Sequence, residues 1–209
     1  RIVNMGVISN GTTLLDAGAL DSGVATGAMT LIKTLTASSS GTLSFVHGAS
    51  GVVLDSTYKE YIFKFIDIHL GSNDQDITFN VSIDSGSNYN VAKTTTHFQA
   101  YNHESSGTAG LAYSGGGDIA QGTGFAVLGE DFGADNDQAS SGIMTLFDPS
   151  STTFVKHFIV QFSQAHQADY NQNIFTAGYA NTTSAVNAIQ FKISSGNIDS
   201  GTIKMYGVK

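Results

Sequence analysis

The sequence predicts an all-β protein: an antiparallel β-sandwich, jelly-roll-like, with about nine to eleven strands. Apolar and polar residues alternate with a period of two in many short stretches, which is the pattern of strands with one buried face. The 24 glycines and the many serines and threonines are typical of short strands joined by polar turns. No stretch shows a convincing helical period, and the single proline leaves the strand boundaries weakly marked.

The first 27 residues are weakly patterned, because glycines interrupt the apolar run that begins at Ile2. We expect residues 1–27 to form an assembly arm that reaches a neighbouring subunit or other proteins of a particle. A first strand followed by a loose leader is the alternative. Residues 28–209 are expected to form the β-sandwich domain, because no linker clear enough to divide them is visible.

The next stretches have strong strand patterns. Met29–Thr36 and Thr42–His47 are separated by a short polar turn, and this spacing predicts a hairpin. Glu60–Leu70 is the strongest internal strand, because it is rich in aromatic and β-branched residues. Its apolar residues fall on both faces, which predicts a place in the middle of a sandwich or against a second subunit.

The rest of the chain continues this pattern. The last twenty residues, Ile189–Val208, predict two strands in a closing hairpin, with the final strand inside a sheet. The glycine-rich segment Asn102–Gly124 and the acidic segment Gly129–Ser141 are expected to be outward-facing loops. Shorter alternating stretches predict strands at 76–83, 95–101, 125–128, 143–147, 153–162 and 172–179.

Four stretches carry a family resemblance: Ser56–His69, Leu146–His157, Gly178–Asn187 and, most clearly, Ser194–Val208. As a set they resemble small structural proteins from the virions of tailed bacteriophages, many of them marine or cyanobacterial and tail-fibre-like. The resemblance covers roughly Thr30–Lys209. It implies a virion component, and it supplies no catalytic residues to carry over.

Composition excludes several classes of function. Only 12% of residues are charged and the net charge is −8, with Arg1 as the single arginine and the lysines scattered singly. Nucleic-acid binding is therefore not expected, because it needs several basic side chains on phosphates. The chain has no cysteine, which excludes disulfides and thiolate metal sites. No apolar run is long enough to cross a bilayer, so membrane insertion is not expected.

Tyrosines near predicted loops are candidates for ligand contact. Exposed tyrosine rings stack on sugars and are equally suited to protein interfaces, so the sequence leaves both roles open. The first candidates for glycan contact are Tyr89, Tyr101 and Tyr113, with Tyr170 and Tyr179 also near loops.

Acidic residues suggest two further hypotheses. Asp131, Asp135 and Asp137 could supply oxygen ligands to calcium, although the segment lacks EF-hand spacing and is otherwise a solvated loop. Glycoside hydrolysis needs two carboxyls flanking one bond, and Glu104 with Asp118 is the pair that the glycine-rich segment offers. The six histidines show no spacing that places two imidazoles on one metal ion.

The segment Ser82-x-Asp84-x-Gly86-x-x-Tyr89 matches the Asp-box pattern of sialidases and other propellers. In this pattern the Asp caps backbone amides and the Gly supplies a positive φ, so it predicts a hairpin turn. No nucleophile elbow, phosphate loop or dinucleotide fingerprint occurs, and no cofactor is expected.

These observations together predict a non-enzymatic virion protein, assembled in the host cytoplasm as a homo-oligomer, with a trimer expected. It would serve as an exposed fibre, tail appendage or capsid decoration, with a host-surface glycan as the expected ligand. The alternatives are a carbohydrate-binding receptor module and a polysaccharide depolymerase that uses Glu104 or Asp118.

Overall fold

The computed structural model describes residues 7–9, 12–16, 19–20 and 28–209, which form strands and no helix. The chain divides into two units, Arg1–Thr30 and Leu31–Lys209. The first contains three short antiparallel strands, β1 (Val7–Ser9), β2 (Thr12–Asp16) and β3 (Ala19–Leu20). The rest of the predicted assembly arm, residues 1–27, lies outside the described residues, and its role stays a prediction. Nothing in the described part is a helix of membrane-spanning length and polarity.

Twelve antiparallel strands from Met29 onward form one nearly closed sheet. They are β4 (Met29–Thr36), β5 (Leu43–Val46), β6 (Glu60–Leu70), β7 (Gln75–Ser82), β8 (Lys93–His103), β9 (Ala109–Tyr113), β10 (Ala126–Phe132), β11 (Ser140–Phe147), β12 (Lys156–His166), β13 (Tyr170–Ala180), β14 (Ala188–Ile193) and β15 (Ile198–Val208).

The sheet has a branch at β12. The main order is β4-β15-β6-β11-β12-β10-β7-β14-β5, and β13, β8 and β9 extend from β12 in a second direction. Strand β12 pairs along its whole length with β13, and its last residue, His166, pairs with Phe132 of β10. We call β10, β7, β14 and β5 the cover strands, and the other eight the long sheet. The inner face of the long sheet is the one that packs against the cover strands.

The antiparallel all-β class is confirmed, whereas the jelly-roll-like sandwich form of it stays a prediction. Twelve strands exceed the nine to eleven expected. The main reason is β9, which forms inside Asn102–Gly124, the segment predicted to be a loop. Its small residues pair with β8, where Tyr101 lies opposite Gly110.

A chain of aromatic rings fills the core between the cover strands and the long sheet. Phe191 of β14 contacts Phe45, Phe63 and Phe65, with ring centroids 5.0 to 6.3 Å apart. Phe65 then contacts Phe162 at 4.9 Å, and the chain continues to Phe132 of β10. All six rings are buried. Phe191 therefore joins three strands that are far apart in the sequence.

Both predicted hairpins are wrong. Strand β4 pairs with β15 instead of β5, and β14 pairs with β5 and β7 instead of β15. The polar segments after β4 and β14 do turn the chain, but each connection crosses between the long sheet and the cover strands. Phe191 of β14 packs on Phe45, Phe63 and Phe65, and this burial favours partners distant in sequence over the local hairpin. The prediction that the last strand lies inside a sheet is confirmed, since β15 lies between β4 and β6.

The Asp-box pattern forms a turn at the end of β7. Ser82 Oγ donates to Asp84 Oδ1 (2.6 Å) and accepts from the Gly86 backbone N–H (3.0 Å), while Asn88 donates to both carboxylate oxygens of Asp84. Gly86 has a φ of +83°, as the pattern requires. The turn is not a hairpin, because β7 and β8 are not paired. The motif is structural here.

Replacement of Phe191 by Ala should be among the most damaging core substitutions. It removes the ring on which three others pack, and Phe→Ala changes in well-packed cores cost about 3–5 kcal/mol. Urea unfolding followed by circular dichroism measures the loss. The matched variant Phe191→Leu keeps most of the volume and should lose less. Small and equal losses of unfolding free energy in the two variants would contradict the central role of the Phe191 ring.

The turn at Asp84 should make stability depend on pH. Hydrogen bonds from Ser82 and Asn88 lower the pKa of Asp84 to about 2 from an ordinary 3.8. Because the folded-state pKa is depressed, the stabilisation is complete above about pH 3.8 and is lost as the pH falls towards 2. The melting temperature of Asp84→Ala should therefore lie below that of the parent at pH 7 and approach it near pH 2. A difference in melting temperature between the two proteins that does not change with pH would contradict this prediction.

Candidate functional site

The outer face of the long sheet carries several exposed apolar side chains among uncharged polar ones. Ile159 of β12 is 56% exposed, Phe98 of β8 is 40% exposed, and Phe98 stacks on Phe175 with centroids 5.0 Å apart. Exposed apolar residues on the same face of neighbouring strands are Ile66, Ile143, Leu111 and Tyr113. Large contiguous apolar patches on a protein surface mark interaction sites.

Charge is absent from the middle of this face. The register places alternate residues of β8, β13, β12 and β11 on the outer side, and none of them is Asp, Glu, Lys or Arg. An antiparallel sheet with one face in water normally carries polar and charged residues there. Protein interfaces are depleted of charge at their centre, and the central strands of this face share that depletion.

Two clefts lie at one end of the outer face. They have volumes of about 530 and 500 Å³ and share Phe147 and His157. The first runs past Ile159 and Tyr179, and the second lies under Phe154, which is 70% exposed. Together they give the face concave regions into which side chains of a partner could insert.

The inner face of the long sheet changes from apolar to polar towards one end. Beyond Phe162 and Ile174, the inward positions are occupied by Gln164, Gln172 and Gln99. A cleft of about 330 Å³ opens there, lined by Gln99, Tyr101, Thr108, Ala112, His166, Tyr170 and Gln172. We call it the inner cleft.

The three tyrosines predicted for glycan contact do not form one site. Tyr101 lines the inner cleft, whereas Tyr113 is exposed on the outer face and donates to Asp118 Oδ2 at 2.5 Å. Tyr89 packs its hydroxyl over Gly86 in the turn after β7. Tyr170, the fourth candidate, joins Tyr101 in the inner cleft, while Tyr179 lines an outer cleft.

Sequence reasoning missed the two glutamines and the histidine of the inner cleft. The sequence shows only that Gln99 and Tyr101 occupy alternate positions on β8, as Tyr170 and Gln172 do on β13. The pairing of β8 with β13 and of β13 with β12 then brings these alternate positions to one place, beside His166. Nothing local in the sequence shows that pairing.

The predicted calcium ligands are not brought together. Asp131 Oδ2 lies 3.5 Å from His166 Nε2, and the backbone N–H of Asp135 donates to Gln138. Within residues 28–209 and the short strands before them, no group of three or more His, Asp or Glu side chains is placed to hold a metal ion. The two residues of the predicted hydrolytic pair also have different partners. Asp118 accepts a hydrogen bond from the Tyr113 hydroxyl. Glu104 follows β8 in a turn where its backbone N–H donates to the Asp169 carbonyl.

A buried acid and histidine lie under the glycine-rich segment. His97 Nε2 is 3.8 Å from Glu130 Oε2, and Ser114 Oγ donates to both oxygens of Glu130 at 2.9 Å. A side chain at Gly117 would collide with His97 and Glu130, so this glycine lets the segment close over the pair. Burial lowers the pKa of His97 to about 4 and raises the pKa of Glu130. Near neutral pH the imidazole is therefore uncharged, and the two groups do not form an ion pair.

Comparison with protein-family models, with curated proteins and with solved structures finds no match to this chain. The resemblance to phage virion proteins therefore stays a prediction. The functional argument has to come from the outer face and the inner cleft.

The His97 ring should remain neutral in the folded protein far below its ordinary titration range. Burial lowers its pKa from 6.5 to about 4, so the unfolded chain takes up a proton first as the pH falls. Stability should thus decrease from about pH 6.5 to about pH 4 through this group. Ring resonances in NMR titrations of the folded and urea-unfolded chain measure both pKa values.

The variant His97→Gln is the control for stability. It removes the titrating ring while keeping a polar side chain beside Thr176, to which His97 Nδ1 is hydrogen-bonded at 2.7 Å. Its unfolding free energy should fall less between pH 6.5 and 4 than that of the parent. A folded-state His97 that titrates near its ordinary value would contradict the burial argument.

Proposed function

We propose that this chain is a structural subunit of a bacteriophage particle, a fibre, tail appendage or capsid decoration, that assembles with copies of itself. The observation that carries the proposal is the outer face of the long sheet, where the central strands present apolar side chains and no Asp, Glu, Lys or Arg. The chain has 9 Lys and Arg and 17 Asp and Glu residues, and none of them lies at these central positions. Their placement elsewhere favours a face that is covered in the assembled state.

A second copy is the occupant that this face suits best. The face carries two clefts beside exposed Ile159 and Phe154. Exposed apolar side chains on one copy can enter the clefts of another, so the surface is complementary to itself. The central strands contribute no like charges to repel a second acidic chain, and Asp148 at the second cleft is paired with Lys59 at 3.1 Å.

The sequence resemblance supplies the rest of the proposal, because particle proteins of this type act as repeated subunits. The predicted trimer and the attachment through residues 1–27 belong to it as well. An enzymatic role has less support, since Glu104 and Asp118 make contacts with different partners and neither lines the inner cleft or the two outer clefts.

A single charge in the outer face should disrupt self-association. In light scattering, we expect the parent chain to have a mass of at least twice the 21.8 kDa of one copy. Ile159→Lys places a cation at the centre of the face and should raise the dissociation constant at least about tenfold, because a buried unpaired charge is costly. The fraction of monomer as a function of concentration measures this change.

The matched control is Ile83→Lys, because Ile83 is an isoleucine outside the long sheet that is also exposed, at 44% against 56% for Ile159. It should leave the mass unchanged. A parent chain that stays monomeric at all concentrations, or an equal effect of both variants, contradicts self-association through the outer face.

A further inference from the structure

We propose that the inner cleft is a binding site for an uncharged saccharide, with the rings of Tyr101 and Tyr170 as stacking surfaces and Gln99, Gln172 and Gln164 as hydrogen-bonding groups. The inference is independent of the assembly proposed above, because the inner cleft and the outer face lie on opposite sides of the long sheet. Its volume of about 330 Å³ is at the lower end of the range of about 300–1,000 Å³ for small-molecule sites.

The aromatic part of the cleft is held rigidly. The Tyr101 and Tyr170 rings meet edge to face with centroids 5.7 Å apart, and His103 and His166 pack against Tyr170 at 4.6 and 5.5 Å. Tyr101 lies across Gly110 of β9, where an added Cβ would be only 2.7 Å from its hydroxyl. Rigid aromatic rings lose little conformational entropy on binding, which favours stacking on the apolar face of a sugar ring.

The glutamines leave directed polar atoms without protein partners. Gln172 is only 5% exposed, and its Oε1 accepts from Gln164 Nε2 at 3.3 Å. The Oε1 acceptor of Gln164 is buried and has no hydrogen-bond partner among the described residues. The Oε1 acceptor of Gln99, which lines the cleft, is also buried and unpartnered in that part of the chain. Buried polar atoms are normally satisfied, so two acceptors left free beside one cleft indicate a ligand that donates hydrogen bonds, as hydroxyl groups do.

The histidine of the cleft is held by Asp131. His166 Nδ1 accepts from the Ala168 backbone N–H at 3.0 Å, so the proton of a neutral ring is on Nε2. The Asp131 carboxylate lies 3.5 Å from that nitrogen. The His166 N–H therefore faces Asp131, and the ring contributes a fixed packing surface against Tyr170.

The electrostatics of the cleft disfavour anionic ligands. No Lys or Arg is among its lining residues, and the Asp131 carboxylate lies beside His166. Phosphates and carboxylates are bound by basic side chains or backbone donors, and this cleft offers amide, phenol and hydroxyl groups instead. Sugar hydroxyl groups donate hydrogen bonds, so a neutral pyranose can satisfy the free Oε1 acceptors of Gln99 and Gln164.

The experiment is NMR titration of the uniformly ¹⁵N-labelled full chain with lactose, maltose, cellobiose and chitobiose, each compared with the anionic 3′-sialyllactose. We expect at least one neutral sugar to shift the side-chain amide signals of Gln99 and Gln172 in a saturable manner. Sialyllactose should bind more weakly than lactose. No saturable shift at these amides with any neutral sugar, or tighter binding of the sialylated form, overturns the proposal.

Substitutions inside and outside the cleft distinguish stacking of the sugar on Tyr101 from effects unrelated to this site. Tyr101→Ala should weaken binding of the neutral sugar by about tenfold, which is equivalent to about 1.4 kcal/mol. Gly110→Ala should also weaken it, because the new methyl group displaces the Tyr101 ring. Tyr170→Phe, which keeps the ring and the fold, should weaken it by less than Tyr101→Ala. Tyr113→Ala, on the outer face, should bind as the parent does, and an equal loss in Tyr113→Ala and Tyr101→Ala overturns the assignment.

Discussion

The packing of the cover strands on the long sheet through one chain of phenylalanine rings is the constraint on which the rest of the structure depends. Phe191 contacts rings from β5 and β6, and Phe65 and Phe162 continue the chain to Phe132 on β10. Each ring buries a large apolar surface, and edge-to-face contacts add to that burial. Without these contacts, β14 and β15 would have no reason to separate, and the local turn between them would favour a hairpin.

The two surfaces of interest follow from how much of the long sheet the cover strands reach. Strands β8, β12 and β13 have 11 residues each, whereas the cover strands β10, β7, β14 and β5 have 7, 8, 6 and 4. The polar ends of β8 and β13, with Gln99, Tyr101, Tyr170 and Gln172, line the inner cleft. On the opposite side of the long sheet, exposed apolar side chains such as Ile159 and Phe98 are the basis for the proposed assembly.

Buried polar groups separate these regions from the apolar core. His97, Glu130 and Ser114 lie under the glycine-rich segment, and burial keeps the imidazole neutral. At the other end of the inner face, Lys93 is fully buried, and its Nζ donates to Asn80 Oδ1 at 2.7 Å and to the Val91 carbonyl at 2.8 Å. Burial lowers the pKa of Lys93 to about 8. In the sequence this lysine is indistinguishable from the scattered surface lysines.

The sequence by itself determined the all-β class, the bounds of the strongest strands and the local turns. Met29–Thr36 and Glu60–Leu70 were predicted with the bounds that the structure has, because period-two alternation is a property of neighbouring residues. The turn at Asp84 was also predictable, since its hydrogen bonds join residues within a few positions. Only the tertiary structure decided which strands pair, and therefore that Tyr101 joins Tyr170 and Gln172 while Tyr113 faces the other way. The physical reason is that pairing is fixed by burial of rings from distant segments, for which local alternation carries no information.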